Sequence, residues 1–288
     1  MGLKLKKLLP KRFRKEGITI PVVRLHGTIM SGGGSFRPML NLATVAPLLD
    51  KAFAMKEAPA VALSVNSPGG SPVQSRLIFR RIRDLAEEKN KRVLVFVEDV
   101  AASGGYMIAI AGDEIFVDPS SIVGSIGVVS GGFGFPELLD KIGVERRVYT
   151  SGENKVMLDP FQPEKQDDIA YLKTLQQEIH ATFIDMVKSR RGAKLVDDGD
   201  LFSGLFWTGG RSLSLGLVDG LGDMRSEIKR RYGADAEMAL ISAGRSLFGR
   251  KQPGVSIGEN AAAHLGAGAV SGLADLAQEK ALWARYGL

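Results

Sequence analysis

The chain has 288 residues, 44% of them hydrophobic and 24% charged, which excludes disorder over most of its length and leaves room for one large α/β core. Its formal net charge of +6 is not a nucleic-acid footprint, because residues 1–16 hold seven basic residues and one acid while the rest carries 31 of each sign. The lack of cysteine excludes disulfides, thiol nucleophiles and thiolate metal sites.

In chain order, residues 1–16 (MGLKLKKLLPKRFRKE) mix leucines and a phenylalanine with the cations. Such a segment reads either as a solvated tail or as peripheral contact with anionic lipid, at about 1 kcal/mol per basic residue near the surface. Leu8-Leu9-Pro10 is too short for a signal-peptide apolar region, and no run of about 18 apolar residues is present. The expected location is the cytoplasm, with the inner membrane face as the place of any tail contact.

Ile18 to Leu25 predicts a strand, and Gly32 to Gly34 a surface loop, since no phosphate-loop Lys-Ser/Thr follows it. A helix over about Thr44 to Met55 leads to a short apolar strand from Ala60 to Val65. That strand ends in Asn66-Ser67-Pro68-Gly69-Gly70. Ser71 then predicts an N-cap, Pro72 the first helical position, and Gln74 the return half of a capping box. Ile78, Ile82 and Leu85 give this helix its apolar stripe. Free N–H groups of Gly69 and Gly70 fall at the carboxyl end of a strand, where open α/β sheets bind ligands.

The pattern then repeats. Arg92 to Val97 (RVLVFV) predicts a strand, and DVAASGGYMIA carries a small-residue turn into an apolar helix with Ser103 at the bend. A serine there is either a helix N-cap or a nucleophile held beside unpaired N–H groups. Gly104 and Gly105 let a backbone approach closely. Two such units on one sheet edge can face each other, one supplying a nucleophile and the other donors for an oxyanion.

Further on, Glu114 to Asp118, Ile122 to Ser130 and Val144 to Thr150 predict strands, with a helix over Pro136 to Ile142 between the last two. The segment SGENK carries Lys155. A long helix follows from about Pro163 to Arg190, and His180 on it reads as a packing or surface residue. Trp207 to Leu215, the turn Gly216 to Leu221 and a helix to Tyr232 complete the body. Residues 241–272 are rich in Gly, Ala and Ser, and an amphipathic piece runs from Leu273 to Tyr286. The expected division is a basic tail (1–17), a catalytic domain (18–233) and a Gly/Ala-rich extension (234–288).

A serine nucleophile needs a base. The chain has three histidines, His26, His180 and His264, and none lies between Ser103 and His180, where a triad of the Clp-protease kind would place one. Lys155 is the alternative, against its reading as a solvated surface lysine. To accept a proton its pKa must fall from about 10.4, which burial in an apolar site achieves. Two rivals stand beside a peptidase. One is a crotonase-like acyl-CoA enzyme needing paired carboxylates, for which Glu98 and Asp99 are the nearest; the other is a non-catalytic membrane-associated scaffold.

Together, NSPGG at 66–70, DVAASGGYMIA at 99–109, GSIGV at 124–128, SGENK at 151–155 and GLVDGLG at 216–222 resemble the signal peptide peptidase A (SppA) family of Ser-Lys peptidases, over about residues 18–233. The resemblance implies a Clp/crotonase-type fold of repeated ββα units. It implies Ser103 as nucleophile, Lys155 as general base, Ser125 as the hydroxyl orienting the lysine, and the N–H of Gly69 or Gly70 with that of Gly104 as oxyanion hole. It also implies peptide substrates such as signal-peptide remnants, no metal or cofactor, and a ring-like homo-oligomer. Tyr106 is followed by Met107 where the family commonly has a second tyrosine, and these residues show no counterpart of the family's membrane span or second tandem copy.

Overall fold

The computed structural model describes residues 17–32, 39–242, 277 and 280–288. The N-terminal tail, part of the Gly32 to Gly34 loop and most of the Gly/Ala-rich extension lie outside the described residues.

One mixed sheet organises the chain. Strand β1 (Thr19–His26), β2 (Ala60–Ser67) and β3 (Arg92–Ala102) run parallel at its centre, and β4 (Glu114–Val117), β5 (Ile122–Gly124), β6 (Phe206–Thr208), β7 (Gly220–Leu221) and β8 (Glu237–Leu240) extend it. The order is β6-β5-β3-β2-β1-β8, with β4 between β3 and β7, and only β5–β6 is antiparallel. The near-continuous apolar runs of β2 and β3 fit parallel strands buried on both faces.

Helices α1 (Leu42–Phe53), α2 (Pro72–Lys89) and α3 (Gly104–Ala109), with the carboxyl half of α5 (Gln166–Arg191), enclose the larger core around Leu63, Val95, Tyr106 and Phe183. A smaller cluster around Val22, Phe96 and Ile228 joins the sheet to α7 (Met224–Tyr232). The intervening helices are α4 (Pro136–Lys141) and α6 (Gly209–Ser214). Tyr106 Oη donates to Leu217 O at 2.7 Å from full burial, tying α3 to the turn before β7. Burial pushes its phenol pKa up.

Several expectations are corrected. Val144 to Thr150 forms no strand: its alternation meets no partner edge among the described residues, and the segment is exposed throughout. The strand expected to run to Ser130 stops at Gly124, because Ser125 turns left-handed at φ 53°. Ser71 does cap α2, accepting from Gln74 N at 3.3 Å, but Gln74 Oε1 accepts from Leu42 N at 3.0 Å instead of closing a capping box. The sheet also passes the boundary expected at 233, since β8 pairs with β1 from Thr19↔Glu237 to Val22↔Leu240 and covers what would be an open apolar edge.

Candidate active site

Three chain segments converge at the carboxyl ends of the central strands. The first is the turn 67–70 after β2. Gly69 and Gly70 sit at φ 101° and 136°, where side chains are strained. A Cβ on Gly69 would lie 2.8 Å from Ala102 O, Gly104 N and Ser103 Cβ, so this glycine lets the turn press directly on the nucleophile candidate. A Cβ on Gly70 would run into Ile29 O, because the 27–30 segment is stitched to the same turn: Ile29 N donates to Gly69 O (2.8 Å) and Ser71 N to Ile29 O (2.7 Å).

The second segment is the β3–α3 bend. Ser103 stands at φ 52°, ψ −123°, a conformation that costs a non-glycine residue of order 1–3 kcal/mol. Its N–H donates to Gly124 O at 2.8 Å, while its side chain makes no capping bond to α3. Of the two readings of this serine, a side-chain N-cap is therefore not the one found. The hydroxyl is left partly buried at the amino end of α3, beside the Gly69-Gly70 turn.

The donors there divide. Gly69 N–H is engaged by Ser67 Oγ at 3.2 Å, whereas the Gly70 and Gly104 N–H groups have no hydrogen-bond partner among the described residues. Gly70 N lies 3.4 Å from where a Gly104 Cβ would be, so the two glycines are adjacent.

The third segment is 124–127. Ser125 is 2% exposed, and its N–H donates to Leu205 O at 2.7 Å. Its hydroxyl accepts from Tyr286 Oη at 3.2 Å. Sequence reasoning missed Tyr286 as a neighbour of this site: it is buried against Val100 and Ala102 and meets Phe206 edge-on at 5.0 Å. The amphipathic pattern up to Tyr286 was the available signal, with nothing in it to say where it docks.

Lys155 is not brought to these residues. It lies in an exposed turn, without a hydrogen bond to Ser103 or Ser125, so the burial expected of a neutral lysine is absent among the described residues. The physical reason is the segment that carries it. Residues 128–165 have no buried residue and expose Val129, Phe133, Ile142 and Tyr149, the last at 91%. His180 donates through Nε2–H to Ile126 O at 2.9 Å, a structural contact rather than a base for Ser103.

Glu98 and Asp99, the carboxylates an acyl-CoA enzyme would require, are tied up instead. Ser64 Oγ donates to Glu98 Oε1 and Asn66 Nδ2 to Asp99 Oδ2, both at 2.6 Å. His26 Nε2 is 2.6 Å from Ser64 Oγ, and burial lowers its pKa against the opposing pull of Glu98.

Residues 86–236, just over half of the chain and including the Ser103 bend, match the model of peptidase family S49. The chain belongs to peptidase family S49. The relatives of this S49 chain include protease 4 of Haemophilus influenzae, 31% identical over 77% of this chain and 36% of its own length. The putative protease MJ0651 of Methanocaldococcus jannaschii is 32% identical over 59% of this chain and 54% of its own. A protein of Brucella abortus named Na(+)/H(+) antiporter NhaA is 67% identical over 99% of this chain. The S49 chain spans 39% of that relative's length, and among its described residues no helix is long and apolar enough to cross a membrane. The SppA-like resemblance is thus shown, and the α/β architecture agrees with it.

Proposed function

We propose that the chain is a serine peptidase that hydrolyses peptide bonds through Ser103 and Lys155 and an acyl-enzyme, on an SppA-like framework of the Clp/crotonase kind. The observation that carries this reading is the conformation of Ser103: a strained left-handed residue whose hydroxyl forgoes the helix cap beside two adjacent free N–H groups. Neutral Lys155 removes the Ser103 proton, and the alkoxide attacks the peptide carbonyl. The oxyanion is held by Gly70 and Gly104 N–H, each donor worth roughly 3 kcal/mol in kcat. Lys155 then protonates the departing amine, and a water activated by the same lysine releases the acyl group.

Because Lys155 is exposed within one chain, we assign it to the Ser103 of a neighbouring copy in a homo-oligomer, docked through the apolar side chains of the 128–165 arm. Ser125 would orient it. A hydroxyl oxygen has two lone pairs, and the bond from Tyr286 uses one. Substrates would be signal-peptide remnants or other membrane-derived peptides on the cytoplasmic side, where residues 1–16 meet anionic lipid. Deleting 1–16 should then release the protein from anionic vesicles at about 0.15 M salt without changing cleavage of a short soluble peptide. Equal vesicle binding by both forms would refute the membrane role.

A fluorophosphonate probe tests the chemistry. It should label the wild type at Ser103, found by peptide mapping, and leave Ser103→Ala unlabelled. Labelling elsewhere, or peptide turnover by Ser103→Ala, would overturn the reading.

A further inference from the structure

The two strands that deliver the oxyanion donors and the nucleophile are out of step. β2 and β3 run in register as far as Val65↔Val97, and the next matched pair is Ser67↔Ala101. β3 therefore carries two extra residues in a bulge at Glu98-Asp99. At the same place β3 changes its outer neighbour: residues 94–97 pair with β4, and residues 100–102 pair with β5. The bulge is thus the joint at which the strand leaves one part of the sheet for the other, four residues before Ser103.

Asn66 spans that joint. Its Nδ2 donates to Asp99 Oδ2 at 2.6 Å, its Oδ1 accepts from Val100 N–H at 3.2 Å, and its backbone O accepts from Gly27 N–H at 2.9 Å. One side chain so bonds both the bulged Asp99 and the Val100 that follows it, while its backbone holds the 27–30 segment that is stitched to Gly69. A parallel grip lies one step back. Ser64 Oγ holds Glu98 Oε1 at 2.6 Å, and Ser121 Oγ, ahead of β5, donates to Glu98 O at 2.5 Å.

We propose that Asn66 and Asp99 are positioning residues of the peptidase: their pairing fixes the bulge, and with it the placement of Ser103 against the Gly70 and Gly104 donors. The proposal rests on the serine-peptidase reading above. The magnitude is set by the strand repeat, since slipping β3 by one residue would carry Ser103 by about 3.3 Å and turn its side chain to the other face. A displacement of even about 1 Å from productive geometry can cost on the order of 100-fold in rate. Neither residue touches the reacting atoms in this scheme. Their effect belongs in kcat rather than in substrate binding.

An exchange of the two side chains tests this on the full chain with a short unstructured peptide. Asn66→Asp sets two carboxylates against each other, and kcat should fall on the order of 100-fold, with KM within about threefold. The double variant Asn66→Asp/Asp99→Asn restores the pair with its direction reversed. An amide at 99 now donates to a carboxylate at 66, whose other oxygen still accepts from Val100 N–H. Its kcat should return to within about fivefold of wild type, non-additively.

Wild-type turnover by Asn66→Asp would overturn the proposal. So would a double variant as slow as Asn66→Asp with a wild-type melting temperature. Should Asn66→Asp fail to fold, the folded double variant still decides by its own kcat. Ser103→Ala run alongside separates the two levels: if it retains turnover, the serine reading fails, whatever the 66/99 pair does.

Discussion

The half of the site that holds Ser103 and the half that holds Lys155 are built in opposite ways. Around Ser103, glycines admit backbone-to-backbone contact, the 27–30 segment is bonded to the 66–71 turn, and Ala101, Ala102 and Gly104 are buried. Around Lys155, short turns and the two-turn helix α4 bury nothing and present apolar side chains to solvent. A strained residue has to be over-determined by its surroundings, whereas Lys155 sits on an arm that no described residue buries. In the proposed mechanism one protomer therefore supplies the attacking group and its oxyanion donors, and a second copy supplies the base.

The sharpest way to break this comparison is complementation. Ser103→Ala and Lys155→Ala should each lose on the order of 10³-fold or more in kcat, because nucleophile and base act as one unit. Mixed after dissociation and reassembly, the two inactive variants should recover a measurable fraction of wild-type turnover, since some sites pair an intact serine with a partner's intact lysine. No recovery, together with a fully active monomer by sedimentation, would place the lysine in the same chain as the serine.

Next in size is Gly69→Ala. The added methyl meets three atoms at 2.8 Å, two of them backbone, at a φ of 101°. Turnover should fall at least about 100-fold as the turn shifts off Ser103, whereas Gly132→Ala on the arm, with open space around it and no positive φ, should leave the fold's melting temperature within about 2 °C. Equal effects at both glycines on turnover and melting would erase the distinction between the two halves.

The smallest effect concerns acid. Hydrogen bonds from Arg230 and Arg231 hold the Glu227 carboxyl down at about 2, and Arg231 likewise lowers Glu114 in β4. A depressed carboxylate contributes stability that is fully present above its ordinary value near 4.5 and is lost as pH falls towards about 2. The cluster is partly exposed, so the loss should be no more than about 1 kcal/mol per pair. Thermal melts followed by circular dichroism between pH 5 and pH 2.5 should slope less steeply in Arg231→Ala than in the wild type. Parallel slopes would mean that the cluster does not anchor α7 to the sheet.

How much of this was legible in the sequence follows from how local each feature is. The two strand–turn–helix units, the cap at Ser71 and the candidate Ser103 rest on residues within one turn of each other, where spacing and glycine chemistry are informative. The strand read at Val144 to Thr150 failed because alternation says a segment can pair, not that an edge is available. β8 went unread because four residues, EMAL, carry too little pattern, and its partner β1 is at the other end of the chain. Tyr286 and the Asn66–Asp99 pair were invisible for the same reason. Each is a side-chain contact between segments that only the folded sheet brings together.

The pairing of β1 with β8 also sets an order of assembly during synthesis. β1 emerges first from the ribosome, but its outer neighbour arrives roughly 200 residues later, a separation that makes the contact slow to form. Until then the nascent sheet can build from β1 through β2 and β3 to β5, which includes every backbone element around Ser103, while one flank of β1 stays open. A chain stalled before Glu237 would thus carry the parts of the nucleophile turn next to an unpaired apolar edge, an invitation to intermolecular pairing. Pairing of β8 with β1 closes that edge.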